Sequence, residues 1–216
     1  MTFHVNFNDV GGQHDLDNEK GGASIKKTLI AIGTSTGGPR ALQKVLTDLP
    51  RDFSIPILIV QHMPKTFTKS LADRLNTLTG IHVKEAVHGE VIQDHTAYIA
   101  PGDYHMKLRK AGTSFAIELT KEKPHLGFRP AVDVLIDSLA TLKVNKLAVI
   151  LTGMGSDGAE GIKRLKNSDP DAVVIAEAAD TAIVYGMPKA AVDTNCVDKV
   201  VPLHEIAKTM DHIVNR

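Results

Sequence analysis

Runs of apolar, β-branched residues alternate along the chain with segments whose apolar positions recur every three or four residues. From Lys27 onward this alternation predicts strand–helix units. Thr28–Gly33 reads as a strand buried on both faces. Pro39 falls where a helix would begin, and Ala41, Leu42, Val45, Leu46 and Leu49 are spaced for one helix face, with Pro50 just past the end. Ile55–Gln61 is a second buried strand, followed by a helix over Phe67–Leu78 that stops at Gly80. The middle of the chain differs: Val83–Glu85, Thr96–Ala100, His105–Leu108 and Phe115–Leu119 read as short strands with no long helical pattern between them. Pro130 opens a helix carrying Val134, Leu135, Ile136 and Leu139. Further strands follow at Leu147–Leu151 and Ala172–Ala176, a helix at Ala159–Leu165, closing helices at Pro188–Val192 and His204–Val214, and an edge strand at Val197–Val201. The pattern predicts a doubly wound α/β fold, its mostly parallel sheet flanked by helices, with a short antiparallel hairpin or extension around residues 83–119. Residues 1–26 lack either periodicity and are expected to form a flexible tail or linker remnant before one catalytic-sized domain at 27–216.

Composition narrows the function classes. The chain has 216 residues, 43% of them hydrophobic, enough for one core. Lys+Arg and Asp+Glu are 25 each, which argues against a general nucleic-acid binder. The single cysteine, Cys196, excludes an internal disulfide and a multi-thiolate zinc site. No apolar run approaches the roughly 20 residues of a membrane span, and the polar amino terminus carries no signal-peptide core. These features predict a cytoplasmic protein without membrane insertion, and no residue pattern calls for a metal or cofactor.

Three of the predicted strands run into loops that carry reactive side chains. Ser35 follows the first, in Gly-Thr-Ser-Thr-Gly-Gly-Pro; His62 follows the second, in Gln-His-Met-Pro; Asp157 follows the strand at Leu147–Leu151, in Thr-Gly-Met-Gly-Ser-Asp-Gly. In an open parallel sheet ligands bind at the strands' carboxyl ends. The strands before Ser35 and His62 belong to consecutive units and are expected to be sheet neighbours, about 5 Å apart. A hydroxyl becomes a useful nucleophile when a base takes its proton, and the base needs an acceptor on its far nitrogen. Each residue also has a plainer reading. Ser35 or Thr36 could satisfy free N–H groups at the helix start, or the loop could hold a phosphate, although it lacks the endings of the known phosphate loops. His62 could cap a strand end. Asp157 with Glu160 matches a helix capping box. Glu177, after the strand at Ala172–Ala176, competes with Asp157 for the acid's role, and Asp180 does so less strongly. Asp133 and Asp137, one helical turn apart, read as a solvated helix face. The backbone N–H groups around Gly153, Met154 and Gly155 could receive an oxyanion.

Taken together, Ala31–Gly38, Gln61–Pro64, Tyr98–Asp103 with His105-Met106, Arg129–Asp133, Ile150–Gly155 with Asp157-Gly158, and Tyr185–Pro188 resemble the catalytic domain of the CheB-type chemotaxis methylesterases, from about Lys27 to Val214. The resemblance implies a serine hydrolase that demethylates glutamate methyl esters, and deamidates certain glutamines, on the cytoplasmic helices of methyl-accepting chemoreceptors. It makes Ser35 the nucleophile, His62 the base and Asp157, rather than Glu177, the orienting acid. It makes the Met154 N–H an oxyanion donor and gives Thr36 a role in supporting the histidine. It implies no cofactor and no metal. Members of the family usually carry an amino-terminal receiver domain; here a short polar tail precedes the first strand, so an uncovered site is expected, with any receiver or regulatory protein acting as a separate partner. The competing class is a non-catalytic module that uses the Ser35 loop to bind an anion or a partner.

Overall fold

The structure, a computed structural model, describes Met1 and residues 27–215. The tail expected before Lys27 lies outside the described residues, Met1 apart. In chain order the elements are β1 (Thr28–Thr34), α1 (Gly38–Asp48), β2 (Ile57–Gln61), α2 (Lys65–Leu78), β3 (His82–Glu85), β4 (Thr96–Ile99), β5 (His105–Ala111), β6 (Ser114–Thr120), α3 (Val132–Ala140), β7 (Asn145–Ile150), α4 (Ala159–Ser168), β8 (Val173–Glu177), α5 (Met187–Asp193), β9 (Lys199–Val201) and α6 (Leu203–Val214).

Seven strands form one sheet in the order β3-β4-β2-β1-β7-β8-β9, every pair parallel. The near-continuous apolar runs follow from this, because both faces of the sheet are covered. On one face Ile30, Ile32, Ile57, Ile59 and Val149 pack with α1, α2 and α6 through residues such as Leu42, Leu75 and Met210. On the other face Leu29, Ala31, Leu58, Val60 and Ile150 pack with α3, α4 and α5 through Leu135, Ile162 and Met187. Successive side chains of one strand thus enter opposite cores, as the two-residue period of a strand requires.

The expectation of an antiparallel segment over residues 83–119 holds only for its second half. β5 and β6 form a separate two-stranded antiparallel sheet, whereas β3 and β4 are parallel members of the main sheet. The link between β3 and β4 contains no helix. It lies instead along the hairpin, bonding Gly89 N to Ile117 O at 2.8 Å, Ile117 N to Glu90 O at 2.9 Å and Ile92 N to Phe115 O at 3.0 Å. The hairpin therefore covers this part of the sheet where a crossover helix would otherwise lie. Its Met106, Leu108 and Ile117 share a core with Leu135 and Leu139 of α3. The closing helices and the edge strand β9 lie where the periodicity puts them, with ends displaced by a few residues.

The strand order reverses at β1. The chain leaves β1 toward β2 on one side and returns to β7 on the other, so a crevice opens at their carboxyl ends. No helix among the described residues is long and apolar enough to cross a membrane.

Candidate active site

Strand register brings the first two loops together. Thr34 pairs with Gln61, so Ser35 and His62 are the next residues on adjacent parallel strands. On the other flank Gly33 pairs with Ile150, which sets Thr152 beside Ser35. The Ser35 N–H donates to Thr152 O at 3.0 Å, and the His62 N–H donates to Thr34 O at 3.1 Å. Thr152 is a node for the Ser35 loop, since its carbonyl also accepts the Thr34 hydroxyl at 2.8 Å and its own hydroxyl donates to Thr36 O at 2.9 Å.

The third side chain comes from the other flank of β1, after β7. Asp157 belongs to the loop between β7 and α4, yet its carboxylate turns away from α4. Its Oδ2 lies 2.7 Å from His62 Nε2 and accepts the Val132 N–H at 2.7 Å, while Oδ1 accepts the Asp133 N–H at 2.9 Å. The helix start at α3 thus fixes both oxygens and favours their negative charge. The capping box expected from Asp157 and Glu160 is not formed: the N-cap of α4 is Gly158, which has no side chain to supply a cap, and Glu160 pairs with Lys163.

Because Nε2 faces a carboxylate, it is the protonated ring nitrogen. Nδ1 is buried and has no hydrogen-bond partner. Asp157 therefore faces Nε2, the reverse of the chymotrypsin arrangement, in which Nδ1 faces the acid. The Ser35–His62 hydrogen bond itself is not formed here, although both residues line one cavity of about 350 Å³ with Met63, Pro64, Phe128 and Arg129. Unliganded active sites often hold this contact loosely. The Phe128 ring stacks on the imidazole with centroids 3.9 Å apart and planes 5° from parallel. Arg129 anchors that loop by donating to Lys121 O and Glu122 O and to Asp103, whose carboxyl it holds below the usual range.

Gly153 abuts Ser35, for a Cβ at this position would stand 2.9 Å from Ser35 Cβ. The next residue, Met154, is 70% exposed, and its N–H donates to no group among the described residues. Thr36 contributes its carbonyl oxygen to Thr152; its exposed side chain makes no hydrogen bond to His62.

Glu177 does not approach His62. Fully buried, it accepts the Thr152 N–H at 2.8 Å and the Thr181 hydroxyl at 3.2 Å, and burial pushes its carboxyl up. It faces a second cavity of about 350 Å³ beside α1, with Arg40, Lys44 and His204. The pairing of Asp133 with Asp137 as one solvated face is corrected. Asp137 does reach the surface and pairs with Arg164, but Asp133 is 1% exposed. Asp133 Oδ1 accepts N–H groups from Gly158 and Gly161 at 3.0 and 2.6 Å, and Oδ2 lies 2.8 Å from His125 Nε2. Burial, more than the nearby Asp157, raises its carboxyl. His125, Asp133 and Asp157 bring three metal-ligating atoms within 4.8 Å of one another. Their carboxylate oxygens are already engaged by backbone N–H groups and imidazoles, which accounts for the cluster without an ion.

Sequence reasoning missed Phe128, Thr152 and the structural role of Gln61. The last of these carried a signal, being a polar residue closing an otherwise apolar strand.

Comparison with known proteins gives the family and the fold. The family model described as CheB methylesterase matches residues 30–210. A protein of Oceanobacillus iheyensis named protein-glutamate methylesterase/protein-glutamine glutaminase is 57% identical over 182 residues, which is 84% of this chain and 52% of that protein. A protein of Halalkalibacterium halodurans with the same name is 55% identical over 185 residues, 85% of this chain and 53% of that one. The chain therefore spans about half the length of the curated relatives it matches. The crystal structure of the Thermotoga maritima CheB methylesterase catalytic domain is 40% identical with a TM-score of 0.83, covering 88% of this chain and all of that one. With its α/β architecture, its Ser35–His62–Asp157 edge and this likeness over most of its length, the chain belongs to the CheB methylesterase family.

Proposed function

We propose that this chain is a serine esterase that hydrolyses glutamate methyl esters, and deamidates certain glutamines, on the helical cytoplasmic part of chemoreceptors. The observation that carries the reading is the His62–Asp157 contact at 2.7 Å, with the carboxylate held by the Val132 and Asp133 N–H groups and Nδ1 buried without a hydrogen-bond partner. The names and identities of the relatives support the choice of ester and amide.

In the proposed reaction His62 Nδ1 takes the Ser35 proton as Oγ attacks the γ-carbonyl carbon. Negative charge develops on the carbonyl oxygen and is received by the Met154 N–H and the N–H groups at the start of α1, with Thr36 framing the same loop. The imidazolium returns its proton to the departing methoxide, and methanol leaves an acyl-enzyme. Water, deprotonated by His62, then releases the glutamate and restores Ser35. For a glutamine side chain the leaving group is ammonia. Asp157 stays ionised throughout, fixing the tautomer and stabilising the imidazolium. The protein acts in the cytoplasm on this reading, with the receptor as substrate and any receiver or regulatory protein as a separate partner.

Methanol release from a methylated receptor fragment tests the activity, and fluorophosphonate labelling tests the nucleophile. Wild type is expected to release methanol and take label at Ser35, and Ser35→Ala to do neither while staying folded. A Ser35→Ala protein with wild-type turnover would remove Ser35 from the reaction. Phosphate binding without labelling would favour a non-catalytic anion-binding module.

A further inference from the structure

The loops that carry the nucleophile and the base are tied together by a side chain outside the triad. Gln61, the last residue of β2, is 2% exposed. Its Nε2 donates to Ser35 O at 3.0 Å and to His62 O at 2.9 Å. Both partners are carbonyl oxygens, so the orientation of the amide is fixed; the flipped amide would set oxygen against oxygen. Its Oε1 is buried without a hydrogen-bond partner. A buried polar atom left unpaired is costly, so an apolar side chain would suit this position better if filling space were its whole task. The surrounding sequence is shaped to this amide, since a Cβ at Gly38 would overlap Gln61 Oε1 and the Thr34 side chain.

We propose that Gln61 is a positioning residue for the Ser35–His62 pair. The inference rests on the esterase reading above. By holding one backbone carbonyl in each loop, the amide sets the distance and angle between hydroxyl and imidazole. This matters because the Ser35 Oγ–His62 Nδ1 contact has to form for proton transfer, and neither side chain holds the other in the resting structure. On the far flank Thr152 fixes the Ser35 loop against β7, but among the described residues it makes no hydrogen bond to the His62 loop. Gln61 never touches the reacting atoms, so its effect should fall on turnover rather than on substrate binding.

The test compares wild type with Gln61→Met, which keeps length and loses both donors, and Gln61→Asn, which keeps the amide but is too short to span the two carbonyls. For each, kcat and KM for methanol release, the rate of fluorophosphonate labelling at Ser35 and the Tm are measured, with rates expressed per folded molecule. In both variants kcat and the labelling rate are expected to fall about 10- to 100-fold, the scale at which a misplacement of about 1 Å acts, with KM nearly unchanged. Gln61→Asn supplies the result should Gln61→Met fail to fold. A lowered Tm with wild-type kcat and labelling rate would show a purely structural role and overturn the proposal. A wild type that neither releases methanol nor takes label would overturn the esterase reading and this one with it. An active wild type matched in rate by its Gln61 variants would overturn this one alone.

Discussion

Asp133 and Asp157 exchange helix starts. Asp157, which precedes α4, accepts the Val132 and Asp133 N–H groups of α3, while Asp133, in the first turn of α3, accepts the Gly158 and Gly161 N–H groups of α4. Each helix is capped by an acid belonging to the other. The exchange clamps α3 to α4 and presents one Asp157 oxygen to His62, so a device that stabilises the fold also sets the acid's position.

Removing the outer half of this exchange should reveal the coupling. Asp133→Ala leaves two helix N–H groups and His125 without their acceptor, and losing a cap costs about 1–2 kcal/mol. For a chain of this size each kcal/mol is worth roughly 2–4 °C in Tm. Thermal unfolding should show that loss, and turnover should fall with KM nearly unchanged. A variant with wild-type Tm would mean that the exchange holds nothing together.

Asp157→Asn is expected to lower both turnover and stability. The amide has one oxygen with which to serve two helix N–H groups, and its NH2 cannot accept from the imidazole. With the tautomer no longer fixed, the loss should approach the value of general-base help, about 10²–10⁴ in kcat. Steady-state rates and Ser35 labelling should fall together. Labelling at the wild-type rate would remove Asp157 from the role of orienting acid.

The Phe128 ring lies flat on the imidazole at 3.9 Å, so it steers the ring plane and, in the proposed reaction, faces the cation formed when His62 takes a proton. Such a contact is worth about 0.5–2 kcal/mol, or roughly 2- to 30-fold in rate. Phe128→Leu fills similar space without the π face and should lose activity in this range, whereas Phe128→Tyr should keep it. Equal kcat for Phe128→Leu and wild type would show that the stack is packing alone.

Glu177 predicts a pH-dependent stability difference. Its folded carboxyl is raised by burial, with the Thr152 N–H and the Thr181 hydroxyl opposing the shift less strongly. Over the interval from its ordinary range to its raised native value, the folded state keeps a proton that the unfolded state has lost. Stability therefore falls as pH rises through that interval. Glu177→Gln does not titrate, so its Tm should exceed that of wild type at neutral pH. The advantage should shrink as the pH falls through that interval and level off below the ordinary glutamate value, about 4.3. An offset that stays constant with pH would show that Glu177 is not the source.

Much of this was legible in the sequence. Local apolar period named the strands and helices, since a strand covered on both faces has no polar positions to spare. The order of the units made β1 and β2 neighbours and so placed Ser35 beside His62. Non-local matters were hidden. The link from β3 to β4 has no helix because the β5–β6 hairpin supplies the covering layer, and a strand-rich stretch reads the same whether its partners are parallel or antiparallel. Asp133 sits at helical spacing from Asp137 and looked solvated; the approach of α4, which no local pattern reports, buries it.

The choice between Asp157 and Glu177 shows the division most clearly. Both follow buried strands, and position leans only slightly to Asp157, the family resemblance favouring it more firmly. The sequence determined the fold class, the edge at which chemistry gathers and the types of group delivered there, because those depend on periodicity and chain order. Only the tertiary structure decided which carboxylate reaches the imidazole. That depends on the side to which each loop turns after its strand: Asp157 toward the N–H groups of α3 and His62, Glu177 toward Thr152 and Thr181.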